Sequence, residues 1–592
     1  MKKRLVFILS LVLFLHSCQD SSTSDPQSFP TVFEESNGLE TATYQETIDF
    51  YLQLSKSFSS INVQTIGMTD SGEPLHLVTF NPDGNFNFQK ISENKRTILI
   101  NNGIHPGESD GIDATMMLFR DLAQNTLDVP KNVVVATIAV YNVGGALNRN
   151  STSRVNQNGP KSYGFRGNAR NYDLNRDFVK MDTENAKTFA SIFHLVKPTL
   201  FVDNHVSNGA DYQYVLTHLF TQHNKLGGAM GKYVNESLMP RLEEKLAQQR
   251  WDITPYVNVF NRPPDNGFSQ FMDHPRYSTG YTALWNIPGL MVETHMLKPY
   301  QQRVEGTYEL MKNAIQIVDE DHAELVQLQV QTAAVAKSLT HYPINWQLDT
   351  TKVSQLKFKG FVADTVISEI TGLPRLRYDV NRPFTKVIPY KNQFHAMDSV
   401  KIPEAYIIKK SWKRVIERLA VNNIQLFELK SDTTLSVEGY QISSYKSYSR
   451  PYEGHYTHYD TEVTASDMEI DFQKGDVLVP TRQEGLRYLI EMLEPEAVDS
   501  FFNWNFFDTV LQQKEGFSPY VFEDLALRIF EENPNLKIEF EAKKASDGAF
   551  SKDWYQQLSW IYKNSKYRES AFMHYPVYRL NEYNAAGLGL ED

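Results

Sequence analysis

Arg96-Thr97-Ile98-Leu99-Ile100-Asn101-Asn102-Gly103-Ile104-His105-Pro106-Gly107-Glu108 is the stretch on which the reading of this 592-residue chain turns. Arg96 to Asn102 is a continuous apolar run without polar alternation, which reads as a strand buried on both faces. Gly103, Pro106 and Gly107 then break it into a turn. The turn presents an imidazole and a carboxylate three residues apart, just past the end of a strand. Open α/β sheets place their ligand sites there. His-x-x-Glu alone is weak evidence, since about one chance occurrence is expected in a chain with fifteen histidines. Its position beside a buried strand gives it weight.

Working outward, Asp110 to Gln124 has helical spacing and Asn132 to Tyr141 is a second apolar strand. Thr183 to Lys197 reads as a helix, Thr199 to Asp203 and Gly289 to Glu293 as buried strands. A helix is expected near Lys225–Gln249 and another from Pro299 to about Val335. Apolar strands alternating with helices predict an α/β domain over residues 41–335, with a mixed sheet covered by helices on both faces. Residues 340–592 read as a mixed α and β C-terminal region of unknown role. Within it, Tyr406–Lys409, Trp412–Asn422 and Ile424–Leu429 form a strand–helix–strand unit, and the aromatic run Phe501–Phe507 reads as core. Glu453-Gly454-His455-Tyr456-Thr457-His458 has the residue types of a metal cluster, but the aromatics suit a strand or loop surface better.

Two more strand ends carry chemistry. His205 follows Phe201-Val202-Asp203-Asn204, so His105, Glu108 and His205 converge if the two strands are parallel neighbours. Three such ligands, with a fourth position open, are the arrangement of a catalytic zinc. Each histidine taken alone reads equally well as a hydrogen-bonded cap. Glu293 ends Leu290-Met291-Val292, where a carboxylate is costly unless paired or functional. It reads as a general base or, alternatively, as the partner of Arg303. Between the ligands, Arg166, Arg170 and Arg176 lie within eleven residues, in a loop suited to an anion such as a carboxylate.

His105-Pro106-Gly107-Glu108, Asp173-Leu174-Asn175-Arg176, His205 and Glu293, in this order, resemble the zinc carboxypeptidase (carboxypeptidase A-like) family over about residues 70–310. The resemblance implies one Zn2+ held by His105, Glu108 and His205, with Glu293 as general base. It implies that Asn175 and Arg176 grip the terminal carboxylate of a peptide and that Asp173 orients the first zinc histidine. Arg166 or Arg170 matches the arginine that polarises the scissile carbonyl, and Arg170 is the preferred match. Tyr277 and Tyr281 both fit the substrate-binding tyrosine. The chain departs from the family at Tyr141-Asn142-Val143-Gly144-Gly145, where Asn-Pro-Asp-Gly is usual, and at Val206, where Ser is common.

The termini and composition set the remaining expectations. Lys2-Lys3-Arg4, an apolar segment from Leu5 to Leu15 and the small residue before Cys18 predict a signal peptide over 1–17. Cys18 sits where the bacterial lipoprotein box places its lipidated residue, although His16 departs from that pattern. Residues 18–40 read as a tether. The expectation is an exported lipoprotein, held to a membrane by its lipid anchor alone. The single cysteine excludes internal disulfides and Cys-based metal clusters. A net charge of −12 without basic blocks argues against nucleic acid. The function these readings favour is a zinc metallocarboxypeptidase acting on peptide or protein C-termini. The alternatives are a zinc amidohydrolase of acyl amino acids or cell-wall peptides, and an inactive surface-binding lipoprotein.

Overall fold

The computed structural model describes residues 29–583; the signal segment and Cys18 lie outside the described residues. The strands, in chain order, begin β1 (Ile61–Met68), β2 (Pro74–Phe80), β3 (Arg96–Asn101), β4 (Val133–Ile138) and β5 (Leu200–Ser207). They continue with β6 (Leu216–Phe220), β7 (Ile253–Pro255), the two-residue β8 (Phe268–Ser269) and β9 (Gly289–His295). Eight of them form one sheet in the order β1-β2-β4-β3-β5-β9-β6-β7. Every residue of β4 and β5 is buried, so side chains on both faces of the sheet centre are covered. That is why these strands read as unbroken apolar runs.

β3 pairs in parallel with both β4 and β5, and β5 in parallel with β9. The chain leaves β3 to form β4 on one side and returns to place β5 on the other. This reversal opens a crevice at the carboxyl ends of β3 and β5. Register then aligns Asn101 with Asp203 and His205 with Glu293. His205 and Glu293 therefore lie within their strands rather than just beyond or at the end of them.

The tether expectation fails for residues 29–40. Val32–Glu35 is a short helix with a Thr31 capping box, and Phe33 is buried edge-on against Tyr300. Arg120 donates to both carboxylate oxygens of Glu34 and to the carbonyl of Phe29. The expected long helix near 225–249 runs from Gly228 to Gln248 through a π turn at Val234–Leu238, and Gly227 separates it from a short helix at His223–Leu226. The expected continuous helix after Pro299 is interrupted at Asp321.

In the C-terminal region β10 (His341–Leu348) pairs with β13 (Phe394–Lys401), and β11 (Ser354–Ile367) with β12 (Pro374–Lys391). β12 also takes β8 of the first domain as a parallel neighbour. The remaining strands are β14 (Ala405–Ile408), β15 (Phe427–Glu428), β16 (Thr433–Ser447), β17 (His458–Phe472), β18 (Val477–Pro480) and β19 (Val577–Leu580). They form a second sheet in the order β15-β18-β14-β19-β16-β17. One continuous hydrophobic core runs from Phe33 through the first sheet to Tyr406, Trp504 and Val577. Residue 340 therefore marks a change of topology, and packing continues across it. The helices within Pro519–Lys563 have a small core of their own.

Asp113, on the helix Asp110–Ala123, ties the N-terminal segment to this frame. It accepts from the backbone N–H of Ala42 and the hydroxyl of Tyr300. Burial lifts its carboxyl to about 6, the nearby Asp110 adding to the effect. A folded value above the unfolded one of about 3.9 contributes stability that is full below about pH 4 and is lost as pH rises through about 6. The melting temperature of the wild type relative to Asp113→Asn should accordingly fall between pH 4 and 7, by the equivalent of up to about 3 kcal/mol. A pH-independent difference would count against this assignment.

Candidate active site

The turn after β3 folds His105 and Glu108 back over the end of β5, and the helix Asp110–Ala123 starts immediately behind them. His105, Glu108 and His205 are all buried, with one ligand atom from each lying within 4.8 Å of the others. His105 Nδ1 is 3.2 Å from Glu108 Oε1, and His205 Nδ1 is 3.1 Å from Glu108 Oε2. Both imidazoles turn their opposite nitrogens to carboxylates. His105 Nε2 donates to Asp173 at 2.9 Å and His205 Nε2 to Asp203 at 2.8 Å. With Nε2 engaged by a carboxylate, Nδ1 is the nitrogen each imidazole can offer a metal, and both Nδ1 atoms face the point shared with Glu108. This donor set, two imidazole nitrogens and one carboxylate, fits a zinc ion.

The electrostatics follow from burial among charges. Burial opposes ionisation of Glu108, but His105 and Arg154 outweigh it and hold this carboxyl well below the usual range. His205 is held well above the ordinary imidazole value because Asp203 and Glu108 overcome the burial penalty. Asp173 is likewise held low by His105, Arg166 and Arg176 against burial. Glu293 goes the other way. Burial, with the charges of Glu108 and Asp203, lifts it to about 8 against the pull of His205 and Arg154. Its Oε2 is buried without a hydrogen-bond partner, and the side chain lines the cleft. Arg303 pairs with Asp110 at 3.6 Å, which removes the alternative partner for Glu293.

The cleft has a volume of about 430 Å³. Arg166, Asn175, Arg176 and Tyr277 line it, and the Arg176 guanidinium lies 4.7 Å over the Tyr277 ring. Arg166 makes two bonds to Asp173 Oδ2 and reaches within 3.5 Å of Glu108. The preference for Arg170 is overturned. Its side chain is half exposed and turns away, bonding Asp70 and the carbonyl of Asp182. Tyr281 is excluded too, because it is fully buried and donates to Asn422.

Three residues in or beside the site have no place in the sequence reading. Arg154 donates to Glu108 Oε1 at 2.7 Å and to the carbonyl of Val206. Gly107 makes room for it, since a Cβ there would lie 2.7 Å from Arg154 Cδ. Tyr256 lines the cleft from the segment after β7. Asp203 ends an apolar run in the sequence, and its place two residues before His205 puts both side chains on one face of β5. That spacing was the available signal; Arg154 and Tyr256 carried none.

Residues 47–195 match the zinc carboxypeptidase family. Carboxypeptidase 2 of Trichophyton equinum is 21% identical over 507 residues, covering 82% of this chain and 87% of that protein. Carboxypeptidase 2 of Trichophyton rubrum is 22% identical over 505 residues, covering 79% and 84%. Alignments of this length reach into the C-terminal region as well as the first domain. Among solved structures, a metallo-carboxypeptidase from Burkholderia cenocepacia is similar over 48% of this chain and 70% of its own, at 15% identity and a TM-score of 0.35. A metallo-carboxypeptidase from Pseudomonas aeruginosa, in complex with (2-guanidinoethylmercapto)succinic acid, covers the same shares at 12% identity and a TM-score of 0.36.

Asp203→Asn tests the tautomer argument. Asn101 Nδ2 donates to Asp203 Oδ1 at 2.9 Å, so the new amide must turn its NH2 toward His205 Nε2. That forces the imidazole proton onto Nδ1. Zinc affinity, measured by competition with a chelating dye, should drop about 10- to 100-fold. An unchanged affinity would refute the role given to Asp203.

Proposed function

We propose that this protein, whose residues 47–195 match the zinc carboxypeptidase family, removes C-terminal residues from peptides, with Glu293 as general base and Arg176 with Asn175 as the carboxylate clamp. The observation that carries the proposal is the cleft itself. It joins the His105–Glu108–His205 set, the unpartnered Glu293 carboxyl and the guanidinium of Arg176 within one cavity of about 430 Å³. When bound, zinc supplies Lewis acidity toward water and toward the scissile carbonyl.

The chain's own groups do the rest. Glu293 Oε2 is free to take a proton from the attacking water and later deliver it to the leaving amine. Arg166, oriented by its paired bonds to Asp173, and Arg154, anchored on Val206, bring fixed positive charge to the site where the carbonyl oxygen gains negative charge. Arg176 presents the planar fork of a guanidinium to a free carboxylate. Stacking under Tyr277 limits how far it can swing.

Peptides with a free C-terminal carboxylate should be cleaved far faster than their amidated twins. Equal rates would sink the exopeptidase reading and favour a zinc amidohydrolase. Glu293→Gln should retain one zinc per chain yet lose at least about a thousandfold in kcat. Arg166→Ala should cost about 100- to 1,000-fold in kcat, while Arg170→Ala stays within about twofold of the wild type. Wild type without turnover on a broad peptide panel would support a binding protein instead.

Export and lipid anchoring at Cys18 belong to the same proposal, supported by Lys2-Lys3-Arg4 and the apolar segment ahead of that cysteine. Expressed in a bacterial host, the full chain should partition with membranes, and Cys18→Ala should release it. Membrane partitioning unaffected by the substitution would disprove lipidation there.

A further inference from the structure

One strained turn of the C-terminal region meets the catalytic loop at Asp173. Tyr452-Glu453-Gly454-His455 closes on itself, with backbone bonds in both directions between Tyr452 and His455. Glu453 and Gly454 both have positive φ, at 48° and 80°. Two-residue turns with positive φ at both central positions favour Asn-Gly or Asp-Gly. A longer side chain such as Glu pays a conformational penalty in this region. Gly454 is needed for a second reason, since a Cβ there would lie 2.8 Å from the hydroxyl of Tyr172.

The length of Glu453 is used. Its Oε2 accepts the backbone N–H of Asp173 at 2.8 Å, across 280 residues of chain. Asp173 is the residue whose carboxylate holds His105 Nε2, and it caps the short 3-10 turn Leu174–Arg176 by accepting from Asn175 N. A single bond from Glu453 therefore sits behind both the first imidazole and the carboxylate clamp. The loop is gripped further along by the same region. His455 pairs with Asp182 at 2.6 Å, and Arg418 donates to the carbonyls of Lys180 and Met181. Glu453 does not line the cleft.

We propose that Glu453 is a positioning residue of the catalytic centre. Through the backbone of Asp173 it sets the orientation of His105 and of the Asn175–Arg176 turn, which makes the C-terminal region a structural part of the active site. Turn geometry and reach make opposite demands at this position, and that separates a positioning role from a purely structural one. Asn satisfies the turn better than Glu but is too short to reach Asp173. Gln keeps the length and an accepting oxygen.

The test uses the full chain with Glu453→Asn and Glu453→Gln. Glu453→Asn should keep or raise the melting temperature while zinc affinity, read by chelator competition, falls about tenfold. The preference for free-acid over amidated peptides should shrink in the same variant. Glu453→Gln should match the wild type within about twofold on both readouts. Wild-type affinity and preference in Glu453→Asn, a lowered melting temperature in it, or equal losses in Glu453→Gln would each overturn the proposal. It rests on the metal site described above. Absence of peptide turnover in the wild type would count against the proposed function alone, because zinc competition reads the Asp173–His105 bond without turnover.

Discussion

Four carboxylates, two imidazoles and the Arg154 guanidinium crowd the carboxyl ends of β3, β5 and β9, with the half-exposed Arg166 at their edge, and pairing is what permits the burial. An unpaired charge in such a place would neutralise itself or destabilise the fold. Asp173 and Asp203 each accept a hydrogen bond from Nε2–H of one histidine, while Arg154 and Arg166 face Glu108. The pairing leaves two Nδ1 atoms and one carboxylate aimed at a common point, and leaves Glu293 without a partner. The sheet topology serves this arrangement. Only parallel neighbours bring three strand ends to one edge, and only the reversal at β3 leaves a crevice there.

That arrangement also explains why the second half of the chain packs so closely on the first. The loop from Asn168 to Asp182 carries Asp173, Asn175 and Arg176 but contains only one short turn of helix. A loop with so little internal structure needs outside contacts to hold three side chains in place. It obtains them from Glu453, His455 and Arg418, and from Trp504, whose ring lies 5.5 Å from Lys180 Nζ. Arg276, next to Tyr277 of the cleft, is pinned in the same way by Asp499 at 2.7 Å. The aromatic run Phe501–Phe507 is the floor under these contacts, since most of its rings are fully buried.

Much of the catalytic domain was legible because its signals are local. Ile98-Leu99-Ile100 and Val133–Ile138 have no polar alternation, and that pattern appears only where both faces of a sheet are covered. Asp173, Asn175 and Arg176 were readable because they stand together in one short motif. The errors arose where a choice depended on direction. Arg166 and Arg170 are four residues apart in one loop, yet Arg166 bonds Asp173 and Arg170 bonds Asp70. Tyr277 and Tyr281 stand four residues apart at the start of one helix. One lines the cleft, and the other is drawn into the core by Asn422 of the C-terminal region. Residues 29–40 looked like a tether because their composition is polar, yet Phe33 and Glu34 are enough to dock them.

The sequence by itself determined the chemistry: which residue types could hold a metal, which acid ended a buried strand, and which arginines could meet a carboxylate. Those properties belong to individual side chains and to spacings of a few residues. Tertiary structure alone decided which of them face one another. Asp203 and Arg154 joined the site, Arg170 and Tyr281 left it, and Glu453 reached it from 280 residues away. The physical reason is that hydrogen bonds and ion pairs depend on distance and direction in space. Separation along the chain measures neither once a sheet and a second region have folded over the same loop.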